Sequence, residues 1–266
     1  MKNLIALALL CLSVVACSKG GSSSSSKKIK LTPEIMSAVM SEQSITCPSG
    51  DCPDAVARLF IVNFNDADES ANCTGTLIGE KLLLTNSHCL DVGSIQQACD
   101  GFYAIFATKA GGHEVARCEE VLYRNTHHAR NRRDLSNRDY ALIKLDRTVK
   151  AKPVEINRDG FAPGDKVYPY VIDHINIFDS RIVKLSCTVS AESSNGRDNV
   201  LEKCPAIQGN SGSTIFDTEG RAAGVLYAGE DTAVDETTTY PLRAQAPTIS
   251  LGFSMDRILE DLSTWL

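Results

Sequence analysis

The chain has no excess of positive charge and no Cys-x-x-Cys pair, and its N-terminal apolar run is too short to cross a membrane. Its 27 basic residues are outnumbered by 33 acidic ones, a formal net charge of −6, which argues against non-specific nucleic-acid binding. The local exception, residues 130–138 with Arg130, Arg132, Arg133 and Arg138, reads as a solvated loop. Without Cys-x-x-Cys the usual zinc spacings are missing. The apolar run at 4–12 falls far short of the ~20 residues of a membrane-spanning helix.

What is present at the N-terminus is an export signal. Lys2 precedes the apolar run, and small residues lead to Ala16 and Cys17. Val14-Val15-Ala16-Cys17 resembles the bacterial lipoprotein signal, in which cleavage before the cysteine is coupled to its lipidation. The resemblance implies a signal peptide over 1–16 and a lipidated Cys17. Ser18-Lys19-Gly20-Gly21 and the serines at 22–26 read as a flexible tether, assigned to 17–45. Ser18 after the cysteine implies, by the same analogy, an outer-membrane lipoprotein of a Gram-negative-type cell.

Of ten cysteines, Cys11 leaves with the signal and Cys17 would carry lipid. The remaining eight, in an exported chain, read as four disulfides. Roughly 220 residues are left for folding, enough for one large all-β domain or two small barrels. Short apolar or alternating runs are expected as strands at 59–64, 74–78, 82–85, 102–107, 140–145, 166–172, 181–189, 213–216, 224–228 and 248–253. A turn-rich stretch at 147–164 divides them. Ile258, Leu259, Leu262, Trp265 and Leu266 then fall at helical spacing behind Ser254, an N-cap candidate.

Three short motifs carry chemistry: Thr85-Asn86-Ser87-His88-Cys89, Arg138-Asp139-Tyr140-Ala141-Leu142-Ile143-Lys144-Leu145 and Gly209-Asn210-Ser211-Gly212-Ser213. A serine hydroxyl is a weak nucleophile and needs an adjacent base; a histidine near neutrality supplies one, and an acid fixes its tautomer. The order His, acid, Ser excludes the α/β-hydrolase and subtilisin orders. With Cys73 and Cys89 16 residues apart and the histidine directly before the second, the chain from about residue 55 onward resembles the chymotrypsin-like serine proteases. The Gly-Asn-Ser-Gly-Ser form is most similar to the bacterial glutamyl-endopeptidase-like branch.

The resemblance implies an all-β fold of two six-stranded antiparallel β-barrels with a C-terminal α-helix. The protease domain is expected over 46–266, with barrel 1 at about 55–147, barrel 2 at about 160–254 and the helix at 255–266. It implies a serine endopeptidase with the triad His88, Asp139 and Ser211, and an oxyanion hole from the N–H groups of Gly209 and Ser211. It implies the bridge Cys73–Cys89. Cys187–Cys204 is paired because both cysteines flank the substrate side of barrel 2, and Cys99–Cys118 and Cys47–Cys52 follow by elimination and proximity. The specificity pocket is implied at Pro205, Ala206, Ile207 and Gln208 and at Leu226, Tyr227, Ala228 and Gly229. Neither an acid near Pro205 nor a histidine near Leu226 is present, which points to a neutral pocket; against it stands the acidic stretch Glu230, Asp231, Asp235 and Glu236, which could attract basic side chains from the rim.

One departure concerns activation. Many members have Asp before the nucleophile, where it pairs with a freed N-terminus; this chain has Asn210. Protein or peptide substrates, a monomer and no metal or cofactor are expected. His113, His127, His128 and His174 read as surface histidines. The alternative function is a catalytically silent binding module on a protease fold.

Overall fold

A computed structural model describes residues 32–108, 111–125, 138–175, 178–191, 199–207, 209–229 and 249–266. The signal, Cys17 and most of the proposed tether lie outside them, as do His127, His128, Gln208 and the acidic rim 230–236. Two antiparallel β-barrels stand side by side, each with its own core and with two further apolar clusters between them.

Barrel 1 closes from six strands: β2 (Val56–Asn63), β3 (Asp66–Leu77), β4 (Leu82–Thr85), β5 (Phe102–Ala107), β6 (His113–Arg124) and β7 (Ala141–Leu145), in the order β2-β3-β4-β7-β6-β5. Barrel 2 is built from β8 (Lys166–His174), β9 (Asp179–Lys184), β10 (Cys187–Val189), β11 (Asn199–Glu202), β12 (Thr214–Phe216), β13 (Ala222–Gly229) and β14 (Ile249–Ser254). The ring closes where β8 pairs with β12, and β9 and β10 form one interrupted edge along β8.

β2 is buried along its whole length because its two faces meet different partners. Ala57, Leu59 and Ile61 point into barrel 1 with Phe102, Phe106 and Ile143. Val56, Phe60 and Val62 point outward, onto Tyr170, Ile172 and Phe216 of barrel 2. An alternating strand with both faces apolar is what an inter-barrel position demands. The second junction joins Leu84, Tyr140 and Leu142 of barrel 1 to Val225 and Phe253 of barrel 2, under the C-terminal helix α3 (Met255–Leu262). Ser254 is the N-cap residue of α3, as its position predicts. Its hydroxyl serves the chain elsewhere, accepting from the Phe161 N–H at 3.2 Å.

The stretch 33–46 is not tether. It forms α1 (Pro33–Ser41) and β1 (Ser44–Thr46). The Thr32 hydroxyl caps the Ile35 N–H at 3.3 Å, Pro33 opens the helix and Glu34 lies in its first turn, all favourable at a helix N-terminus. Met36, Val39 and Met40 pack into the first inter-barrel cluster, and β1 adds in parallel to β9. The tether expected from composition therefore reaches no further than the start of α1. Arg58, only 2 % exposed, donates to Gln43 Oε1 at 2.7 Å and to Asn72 Oδ1 at 3.2 Å. Burial lowers its pKa to about 10, opposed by nearby Asp179.

Four disulfides are formed: Cys47–Cys52, Cys73–Cys89, Cys99–Cys118 and Cys187–Cys204. Cys73–Cys89 fastens the segment after β4 to β3, and Cys99–Cys118 ties the short helix α2 (Ile95–Asp100) to β6. Replacing Cys73 and Cys89 together by Ala opens a loop of 16 residues' separation. It should cost about 3 kcal/mol of stability in the chain-entropy account, checked by urea denaturation against the oxidised parent.

Candidate active site

β4 ends at Thr85, whose side chain and the next two anchor the turn that presents His88. Thr85 Oγ1 donates to the Thr74 carbonyl at 2.8 Å, Asn86 Nδ2 to the Asp139 carbonyl at 2.5 Å and Ser87 Oγ to the Tyr140 carbonyl at 2.6 Å. His88 opens a single 3₁₀ turn over His88–Leu90. Its backbone N–H donates to Asp139 Oδ1 at 3.0 Å, and its Nδ1 lies 2.6 Å from Asp139 Oδ2. One carboxylate thus receives both the main chain and the ring of the same histidine. An ionised carboxylate only accepts, so the pair holds the proton on Nδ1 and leaves Nε2 as the basic nitrogen.

Ser211 arrives from barrel 2 in a turn that rests on barrel 1. The Thr74 N–H donates to the Ser211 carbonyl at 2.8 Å, and the Thr74 hydroxyl to the Gly209 carbonyl at 3.2 Å. The Cys89 sulfur lies 3.9 Å from the same Ser211 carbonyl. His88, Asp139 and Ser211 are therefore gathered around the Cys73–Cys89 bridge, although they come from three separated stretches of chain. Cys73, His88 and Cys89 also form a compact group of ligand-type atoms, but both sulfurs are spent in the disulfide.

The turn needs its glycines. Gly209 and Gly212 have φ of +89° and +84°. A Cβ at Gly212 would lie 2.2 Å from the Thr74 carbonyl oxygen, so only glycine lets the turn settle this close to β3. Among the described residues, the N–H groups of Gly209 and Ser211 have no protein acceptor.

Asn210, 2 % exposed, explains its own identity. Its Oδ1 accepts from the Ile207 N–H at 2.9 Å, and its Nδ2 donates to the Ile172 carbonyl at 2.8 Å. An amide has one acceptor and one donor end and satisfies both neighbours without a counter-ion. Of the expected pocket residues, Leu226 is bonded directly to this turn. The carbonyl of Leu226 on β13 accepts from the Gly212 N–H at 3.0 Å, and the Leu226 N–H donates to the Ser213 carbonyl at 2.9 Å. Pro205 and Ala206 are buried, Ile207 and Tyr227 half-buried, and Tyr227 stacks on Phe253 with ring centroids 4.5 Å apart. A polar depression lined by Asn157, Asp217 and Arg221 contains none of these residues.

A contact set absent from the sequence reading lies behind Asp139. Asp261 on α3 accepts from Tyr123 Oη at 2.8 Å and also from Tyr140 Oη and from Arg138. Burial works against its charge, but the hydrogen bonds from Arg138, Tyr140 and Tyr123 outweigh it and hold the carboxyl below its ordinary value. Burial, followed by the Asp261 bond, pushes the Tyr123 hydroxyl up to about 12.

The trypsin family profile matches residues 50–246, about three quarters of the chain. The chain belongs to the trypsin family of serine proteases. Serine protease 23 of Rattus norvegicus is 29% identical over 184 residues, 59% of this chain and 46% of the relative, so the chain spans about half of that protein's length. The serine endoprotease of Yersinia pestis superposes with a TM-score of 0.53 at 14% identity, covering 85% of this chain and 65% of that one. The structure described as GrC gives 0.56 at 15%, covering 83% and 98%. At these identities the solved structures establish the family's two-barrel fold alone.

Asn210→Asp should bury a carboxylate against the Ile172 carbonyl. The deficit should be largest near neutral pH, on the order of 2–4 kcal/mol, and shrink in acid, where a protonated carboxyl can donate. Melting temperatures of parent and variant between pH 4 and 8 check the sign.

Proposed function

We propose that the protein is an exported serine endopeptidase that hydrolyses peptide bonds through an acyl-enzyme. The observation that carries the reading is the doubly bonded His88–Asp139 pair beside the Ser211 turn. Ser211 Oγ attacks the scissile carbonyl while His88 Nε2 takes its proton. Asp139 keeps the proton on Nδ1 and stabilises the imidazolium. The oxyanion that forms is met by the N–H groups of Gly209 and Ser211. His88 returns the proton to the leaving amine, which departs and leaves the acyl group on Ser211. Water, deprotonated by the same histidine, then releases the acid and restores the serine hydroxyl.

Two features support a site organised without an activation cleavage. Asn210 is satisfied by its own loop and by Ile172, and the glycine turn is already seated on Thr74. The neutral lining from Pro205 to Ile207 and at Leu226 favours substrates with an uncharged residue before the cleaved bond. Four disulfides suit an oxidising, exported setting. No helix among the described residues is long and apolar enough to cross a membrane. The proposed attachment is instead lipid on Cys17, outside the described residues, which would keep a monomeric protease near an outer membrane with protein or peptide substrates.

A peptide-library cleavage assay tests the activity. Ser211→Ala and His88→Ala should each remove nearly all hydrolysis, and Asp139→Asn should lower turnover about 10⁴-fold, the loss that the wrong tautomer brings. Wild-type-like hydrolysis by Ser211→Ala overturns the reading; a folded wild type that neither cleaves nor reacts with a fluorophosphonate turns it to the silent binding module.

For the anchor, the mature N-terminus is read by mass spectrometry. An acyl mass on Cys17, lost together with membrane fractionation in Cys17→Ser, is expected. A mature chain without that mass removes the anchor and leaves the protease reading intact.

A further inference from the structure

We propose that Asp261, on the C-terminal helix α3, is a positioning residue for the catalytic acid: its one carboxylate grips both chain neighbours of Asp139 and thereby fixes the group that orients His88. This rests on the reading of Asp139 as the acid of the triad.

Residues 138–140 lie just before β7 and outside its ladder. Nothing in the sheet fixes how the Asp139 carboxylate is aimed. The segment is held from two sides instead. On the histidine side, Asn86 and Ser87 donate to the carbonyls of Asp139 and Tyr140. On the rear side, Arg138 Nη1 donates to Asp261 Oδ1, and Tyr140 Oη to Asp261 Oδ2. Arg138 Nη2 reaches Glu260 Oε2 at 3.3 Å as well. Tyr123 Oη from β6 completes the set, donating to Asp261 Oδ2 at 2.8 Å. The Tyr140 ring is fully buried, stacked on Tyr123 at 5.6 Å and edge-on to Phe253 at 5.9 Å.

The chemistry of the donor set selects a carboxylate. Three donors converge, two phenol hydroxyls and a guanidinium, and only an acceptor-only group with two oxygens receives them all. An amide would turn N–H toward one of them. The arrangement also spans the molecule: α3 follows the last strand of barrel 2, whereas Asp139 leads into β7 of barrel 1. Asp261 thus ties the acid to the element that closes the second inter-barrel cluster. Catalytic groups need placement within about 0.5 Å and 10–20°, and a misplacement near 1 Å costs up to ~100-fold in rate.

The test uses the full-length protein with Asp261→Asn, Asp261→Ala, Asp261→Glu, Tyr140→Phe and the Asp261→Asn/Tyr140→Phe double variant, each checked for folding by circular dichroism. Two readouts are taken: kcat and KM on a cleaved peptide, and the proton NMR signal of the His88 Nδ1–H in a Ser211→Ala background, which needs no turnover. For Asp261→Asn, kcat should fall by about 10-fold or more with KM within about twofold, a loss made in the transition state rather than in binding. The double variant should be no worse than the poorer single one, since both cut the same link. Asp261→Glu should recover part of the rate. The downfield Nδ1 proton signal should broaden or move upfield. A folded Asp261→Ala with kcat within about twofold of the parent and an unchanged Nδ1 signal overturns the proposal, even if its melting temperature drops. If that variant does not fold, Tyr140→Phe, which removes a single hydroxyl, decides by the same two readouts. Should Ser211→Ala hydrolyse peptides as fast as wild type, the triad reading falls, while the Nδ1 signal still reports whether Asp261 positions Asp139.

Discussion

The hydrogen bond from the Thr74 N–H to the Ser211 carbonyl joins the two barrels where their alignment matters most. Its net worth is modest, about 1 kcal/mol like other internal hydrogen bonds, so its role is registration rather than strength. Thr74 follows Cys73, whose disulfide partner follows His88, so the bond sets the Ser211 turn against the same covalent frame that carries the histidine. Gly212 makes the approach possible, since any side chain there would meet the Thr74 carbonyl. Asn210 then fixes the turn from the other side through Ile172 of β8. Several weak constraints are thus stacked on one short loop.

The same logic of shared elements runs through the apolar interior. Neither barrel is complete on its own face: β2 presents Val56, Phe60 and Val62 to barrel 2, and Leu84 and Leu142 meet Val225 and Phe253. α1 and α3 cap these two junctions. Each junction also carries a polar cluster, Arg58 with Gln43 and Asn72 under α1, and Asp261 with Tyr123, Tyr140 and Arg138 under α3. Such directional contacts favour one relative setting of the barrels over sliding alternatives, which dispersion alone would leave close in energy.

Much of the fold was legible because strands buried on one or both faces write their period into the sequence. The runs at 82–85 and 102–107 coincide with β4 and β5. β6 escaped because Arg117, Glu119 and Glu120 interrupt its apolar positions, and it is half-exposed along most of its length. α1 escaped because a Ser/Gly-rich composition upstream hid the local signal of Thr32, Pro33 and Glu34. The motifs of His88, Asp139 and Ser211 stand out in the sequence because the acyl chemistry proposed for them tolerates few residue types. Asp261 was not: an acid on a short amphipathic helix looks like a solvated position, and its partners Tyr140 and Tyr123 lie more than a hundred residues away in sequence. Substrate preference stayed equally hidden, since a neutral lining names no side chain.

The segment ahead of barrel 1 has a mechanical consequence. α1 is pinned by a bond between His113 Nε2 and the Met40 carbonyl at 2.7 Å, and β1 runs parallel to β9, with the Ser44 N–H bonded to the Phe178 carbonyl at 2.7 Å. A pull from the N-terminal side meets α1 and its Met40–His113 bond first, and then the parallel ladder of β1 with β9. The short Cys47–Cys52 loop comes directly after, as a covalent stop that cannot be drawn out straight. Tension is therefore borne first at the junction of the two barrels, by α1 and β1, ahead of β2.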